Sequence, residues 1–150
     1  MDGLNLGTLG GLSMAIIKEL IRKDAEGTLS FGNYELDQKT KVSDFEYNGD
    51  LYKVKTFKEI TKLERNGLFV YESVPGTAVE GLAISEKGVE FTVEGNEDAQ
   101  ITLELEPEKE YTVFMGDAAM GTMKTNLGGK LVLSVELEQK DSVKIKVVQL

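Results

Sequence analysis

From residue 28 to the end of the chain, apolar residues return at every second position, and turn-forming residues break the alternation at short intervals. Val89, Phe91 and Val93 alternate with Glu90, Thr92 and Glu94. Ile101, Leu103 and Leu105 alternate with Thr102, Glu104 and Glu106, and Leu131, Leu133, Val135 and Leu137 with Val132, Ser134 and Glu136. Tyr111 and Val113, then Met120, Thr122 and Lys124, and finally Val143, Ile145 and Val147 extend the pattern. Successive side chains of a strand point to opposite faces. Each run therefore has one apolar and one polar face, as in an antiparallel sheet packed on one side only. About ten such runs predict two stacked sheets. Phe91, Val93, Ile101, Leu103, Leu105, Leu131, Leu133, Val135 and Ile145 are the predicted interior.

The first half carries the same signal with more interruptions. Leu29 and Phe31 alternate, and Tyr34 and Leu36 resume across Gly32-Asn33, a predicted bulge or bend. Val42, Phe45 and Tyr47 lead into Asn48-Gly49-Asp50. Residues 51–57 and 60–63 form the next runs, and 68–74 answers after Asn66-Gly67. Asn-Gly between alternating runs is a strong hairpin signal, because both residues tolerate positive φ. Hairpin turns are expected near 48–50, 66–67, 116–118 and 127–129, and Pro75-Gly76 marks a sharp break. Lys53 with Lys55, and Lys144 with Lys146, are expected to guard a sheet edge with charge.

The N-terminal quarter reads differently. Met14, Ile17, Leu20 and Ile21 share one face at helical spacing, Ser13 stands where a cap belongs, and Gly27 follows. The spacing predicts a short helix over 14–24 that lids the β core. Residues 1–13 hold four glycines with Leu4, Leu6, Leu9 and Leu12 between them, and read as a flexible or docking arm. The expectation is a mainly β chain: an antiparallel two-sheet β-sandwich, jelly-roll-like, with one short N-terminal helix. Residues 14–150 would be a single domain with the arm ahead of it.

Composition removes whole classes of chemistry. The 150 residues contain no Cys, His or Trp. Thiol catalysis, disulfides and thiolate or imidazole metal ligation are therefore excluded, as is Ser-His-Asp catalysis. The favoured sugar-stacking ring is missing too. The formal charge of −9, from 26 acidic and 17 basic residues, repels phosphate backbones and anionic lipid. Nucleic acid and membrane are thus poor partners. No run approaches the roughly 20 apolar residues of a membrane helix. The first residues lack the basic and apolar regions of a signal peptide, so the expected location is the cytoplasm.

The remaining motifs are weak. Gly128-Gly129-Lys130 resembles the end of a phosphate loop, but Lys124 and Leu131 stand where that pattern needs a Gly and a Ser or Thr, and a strand follows instead of a helix. Residues 94–110 hold seven acids against Lys109 alone. They lack a calcium-loop pattern and read as a solvated face. Paired carboxylates are inevitable among 26 acids, so a glycosidase-like pair carries little weight. No catalytic, metal-ligating or cofactor-binding residue is assigned. Tyr47, Tyr52 and Tyr71 are the candidates for lining a ligand groove, although tyrosine is also a favoured strand residue.

Five runs carry a family resemblance: TLSFGNYEL at 28–36, GDLYKVKTFKEITKLERNG at 49–67, FVYESVPGTAV at 69–79, EDAQITLELE at 97–106 and MKTNLGGKLVLSVEL at 123–137. On them the chain resembles a family of small β-rich proteins of clostridial-type bacteria whose motifs are tied to no known chemistry. Its members often carry the label endosialidase. The residues here do not support that label. Sialidases resemble one another in an arginine cluster and in Ser-x-Asp-x-Gly-x-Thr-Trp boxes, whereas this chain has only Arg22 and Arg65 and no tryptophan. The stretch EYTVFMGDAAMGTMKTNLGGKLVLSVEL also looks like the terminal strands of accessory β-sandwich modules in carbohydrate enzymes.

Three functional readings result. The first is a non-enzymatic β-sandwich that self-associates as a structural or scaffolding protein, with Leu4, Leu6, Leu9, Leu12, Ile17 and Ile21 contacting a neighbouring copy and no cofactor. The second is a glycan- or small-ligand-binding module. The third and weakest is a carboxylate-based hydrolase.

Overall fold

The computed structural model describes residues 16–138 and 142–150, and these form thirteen strands in two antiparallel sheets. In chain order the strands are β1 (Ile21–Lys23), β2 (Leu29–Phe31), β3 (Thr40–Tyr47), β4 (Asp50–Phe57), β5 (Ile60–Arg65), β6 (Leu68–Val74) and β7 (Ala78–Ser85). There follow β8 (Gly88–Glu94), β9 (Ala99–Glu104), β10 (Glu110–Met115), β11 (Ala118–Lys124), β12 (Lys130–Val135) and β13 (Val143–Gln149). One sheet has the order β3-β4-β5-β6-β9-β12, the other β1-β2-β7-β8-β13-β10-β11.

The period-two reading places the core correctly. Phe91, Val93, Ile101, Leu103, Leu131, Leu133, Val135 and Ile145 are all buried, and Leu105 packs half-buried against them. The two sheets meet through an aromatic row at the centre. The Tyr71 ring of the six-stranded sheet stands edge-on between Phe31 and Phe91 of the seven-stranded sheet, at centroid distances of 5.2 and 5.7 Å. Edge-to-face contacts of this kind add to the gain from burial alone.

The turns follow their chemistry. Asn48-Gly49 and Asn66-Gly67 have φ of 51° and 84°, and 52° and 81°. These are the consecutive left-handed residues that a tight hairpin needs to match strand twist. They join β3 to β4 and β5 to β6. The turn at Gly116 joins β10 to β11. The turn at 127–129 is real but is not a hairpin. It carries the chain from β11 in one sheet to β12 in the other, with the Asn126 side chain accepting from the Gly128 and Lys130 amides at 2.8 and 3.0 Å.

The expected helix over 14–24 is absent in the part that is described. Residues 16–20 bend, and Ile21–Lys23 is a strand. Leu20 has φ of 73°, outside any right-handed helix. The backbone is instead claimed by the sheet: Ile17 N–H donates to Gly32 O at 2.9 Å, and Gly32 N–H donates to Leu20 O at 3.0 Å. A helix of about three turns is marginal in isolation, and the open edge of β2 offers ladder bonds in its place. The apolar spacing misled because Ile17, Leu20 and Ile21 are buried either way.

Sequence reading also passed over β7. Its run Ala78–Ser85 is broken by Gly81, with φ of 68°, at a register shift between Glu80 and Ala83. A bulge of this kind slips the alternation by one position and hides the strand. Gly32-Asn33 does bend the chain as expected, but Tyr34 and Leu36 lie outside any strand. Lys53, Lys55, Lys144 and Lys146 guard no edge. They sit on β4 and β13, which are interior strands of their sheets.

Candidate functional site

The two flanks of the sandwich are built differently. On one flank β1 and β3 are the edge strands, and both are blunted. β1 is three residues long, and its Arg22 pairs with Asp24 at 3.1 Å. β3 carries Lys41, Asp44 and Glu46 and is kinked by a register shift between Val42 and Phe45, with Asp44 at φ 58°. The Tyr47 hydroxyl donates to Gly27 O at 2.5 Å and ties β3 to the turn after β1. Short, charged and bulged edges of this kind resist pairing with other chains.

On the other flank the edges are β11 and β12. β11 reads Ala-Ala-Met-Gly-Thr-Met-Lys, with no charge until Lys124, and all its residues but Met123 are exposed. A strand exposed on both faces projects past the sheet opposite. At one end this flank is closed by the link from β11 to β12. There the Thr125 hydroxyl donates to Glu106 O at 2.6 Å and Leu105 N–H donates to Gly129 O at 2.7 Å. At the other end the sheets part around a cleft of about 710 Å³. Ala99 and Val135 line it from one sheet, and Met115, Met120 and Val143 from the other. Met120, Leu127 and Val132 leave 55%, 79% and 46% of their surface exposed along the same flank.

The groups expected to form sites are distributed as follows. Leu4, Leu6, Leu9 and Leu12 lie outside the described residues. Ile17 and Ile21 are 0% and 3% exposed in the chain's own interior, so they cannot face a neighbouring copy as expected. Tyr47 and Tyr52 do meet, edge-on at 5.6 Å, beside a small hollow of about 120 Å³. Tyr52 is buried, however, and Tyr71 lies wholly in the core with its hydroxyl 2.8 Å from that of Thr77. Burial holds the Tyr71 hydroxyl far above the usual tyrosine range. The three tyrosines therefore present no shared exposed ring face on which a sugar could stack.

The acidic stretch is structural where its contacts are visible. Asp98 Oδ1 accepts the Leu137 and Glu138 amides at 2.8 and 3.0 Å, which holds its carboxyl below the ordinary range. Glu104 pairs with Lys130 Nζ at 2.5 Å. Among the described residues no group of three or more acidic side chains converges as a metal site, and no helix is long and apolar enough to cross a membrane.

The open flank is the site that sequence reading missed. A signal was present: six uncharged residues, 118–123, between Asp117 and Lys124 in a chain that is 29% charged. The run could not be recognised as an edge without the strand order.

No protein-family model, curated protein or solved structure matches the chain. The resemblance carried by residues 28–150 stays a reading of the sequence alone.

Proposed function

We propose that this chain is a non-enzymatic β-sandwich that self-associates and acts as a structural or scaffolding protein, in the reducing compartment that its cysteine-free composition suits. The repeated crossing of the chain between sheets after Val74 supports a jelly-roll-like arrangement. The observation that carries the functional reading is the asymmetry of the flanks. One edge is only three residues long and the other carries several charges, while β11, itself bulged at Met120-Gly121, is seven residues long and uncharged along six of them. An unguarded edge is a template for another strand, and the apolar side chains beside it lose surface to water only if another molecule covers them.

The test is the mass of the full chain in solution, measured by sedimentation across micromolar concentrations. Assemblies larger than one chain are expected. A single chain throughout that range would overturn the reading.

The cleft favours a second reading, a module for a small apolar ligand. Its volume of about 710 Å³ falls in the range of ligand pockets, and Met115 and Met120 are side chains that adapt to varied apolar shapes. Binding of an apolar fluorescent dye, lost in a Met115→Lys variant while the chain stays monomeric, would favour this reading over assembly.

A further inference from the structure

We infer that the N-terminal arm folds back into the cleft of its own chain, seating Leu9 and Leu12 against Met115, Met120 and Val143. The inference is independent of the self-association reading, because it leaves the outer side of β11 unpaired and Leu127 and Val132 uncovered.

The cleft suits an apolar occupant. Ala99 and Val135 line it from one sheet, Met115 and Val143 opposite them are only partly buried, and Met120 is 55% exposed. Of its charged lining residues, Asp98 accepts the Leu137 and Glu138 amides, and Lys144 pairs with Glu90 at 2.7 Å. Both are thus engaged elsewhere.

The arm has the matching composition. From Gly3 to Ala15 no residue is charged, in a chain that is 29% charged, and the run holds Leu4, Leu6, Leu9 and Leu12. The other stretch outside the described residues, 139–141, reads Gln-Lys-Asp and has nothing apolar to offer. A segment without charge also approaches a body of formal charge −9 without repulsion.

The described chain starts at the right place. Ile16 packs on Tyr34 and Ala78, and Ile17 N–H donates to Gly32 O. Ala78 pairs with Glu94 at the end of β8, the adjacent Val93 pairs with Val143 at the start of β13, and Ile145 pairs with Met115. Ile16 and the cleft therefore lie at the same end of the sandwich. In the order β7-β8-β13-β10 the cleft wall stands two to three strands away from Ala78, roughly 10–14 Å at the usual strand spacing. Leu12 lies four positions before Ile16 and Leu9 seven, which allows spans of up to roughly 13 and 23 Å. The tether also decides the competition. A segment joined by a few residues is present at an effective concentration on the order of millimolar, above what a separate copy reaches in micromolar solution. The arm is then a resident occupant that a small apolar ligand of the cleft has to displace.

The chain has no cysteine, so introduced pairs can be read directly. Full-length chains carrying Leu9→Cys with Met120→Cys, or Leu9→Cys with Leu127→Cys, are oxidised mildly at low micromolar concentration. Leu127 is 79% exposed on the same flank, in the link that closes its opposite end. Within single chains the 9–120 disulfide is expected to form at least tenfold faster than the 9–127 disulfide. In a second measurement Leu4, Leu6, Leu9 and Leu12 are replaced by Ser in the full chain. Binding of an apolar fluorescent dye should rise several-fold over the unaltered chain, and Met115→Lys in that background should remove the gain.

Equal rates for the two pairs, or a dye that binds the unaltered chain as well as the Ser variant, would overturn the inference. A 9–120 disulfide that joins two chains instead of one would overturn it too, and would put the arm on a second copy, in line with the self-association reading. An intrachain 9–120 disulfide in a chain that sediments as a monomer would uphold the inference while the self-association reading fails.

Discussion

Leu103 and Thr61 show two ways in which single side chains hold this sandwich. Leu103 is 2% exposed and stands on β9, the strand next to the open edge. Leu103→Ala should cost about 2–5 kcal/mol by urea denaturation, the usual range for lost transfer energy plus an incompletely collapsed cavity. Thr61 belongs to a fully buried hydroxyl network. Its Oγ1 donates to Thr77 O at 2.7 Å, accepts from Thr77 N–H at 3.1 Å and lies 2.8 Å from Thr56 Oγ1. Thr77 Oγ1 in turn lies 2.8 and 2.7 Å from the Tyr71 and Ser73 hydroxyls. This network satisfies the backbone of the segment between β6 and β7 inside the core. Thr61→Val keeps the volume but strands these partners, so a loss of about 1–3 kcal/mol for each unpaired group is expected in the same measurement. Tyr34 gives a pH signature. Burial first, then the charges of Glu94 and Glu35, push its hydroxyl from 10.0 up to about 12. Its contribution to stability is complete below the unfolded value of 10.0. Between there and about 12 the unfolded chain ionises while the folded chain does not, so stability falls as pH rises. Thermal melts from neutral pH into this alkaline window should show a decline that is smaller in Tyr34→Phe.

At the scale of elements, turns and edges decide how strands are used. The Asn66-Gly67 turn fixes the register of β5 against β6. The Asn66 side chain also accepts from Leu51 N–H and donates to Asp50 Oδ1, both at 2.9 Å, which links it to the start of β4. Gly67 has φ of 81° with open space around its α-carbon. Gly67→Val therefore costs conformational strain without a clash, about 1–2 kcal/mol, measured by denaturation with the β-sheet circular dichroism preserved. The segment 16–23 is the opposite case. Its helical spacing was legible, but spacing is only a weak prior when a sheet edge lies within reach of the backbone. The bonds from Ile17 to Gly32 and from Gly32 to Leu20 decided the outcome.

The whole molecule is an acidic body with charge on one pair of edges and little on the other pair. Self-association works against the repulsion of two chains of formal charge −9. Raising the ionic strength from millimolar to physiological screens that repulsion and should strengthen association, as seen by sedimentation. A contact built on ion pairs would weaken instead.

The sequence alone determined the class of this fold and most of its core, because period-two alternation and Asn-Gly turns are local and act within a few residues. Phe91, Leu103 and Leu133 needed no partner to be recognised as inward-facing. It also removed thiol and imidazole chemistry outright, since a missing residue type cannot be restored by folding. Only the tertiary structure decided which strands are edges, because edge and interior strands share the same alternation and differ only in their neighbours. That is why Lys53 and Lys144 were misread as guards and why the run 118–123 passed as an ordinary strand. Strand order also made Ile17 and Ile21 core residues instead of contacts, by supplying Gly32 as a pairing partner that no local pattern announces. The cleft between Met115, Met120 and Val135 exists because strands distant in the chain part at one end of a flank and are joined at the other.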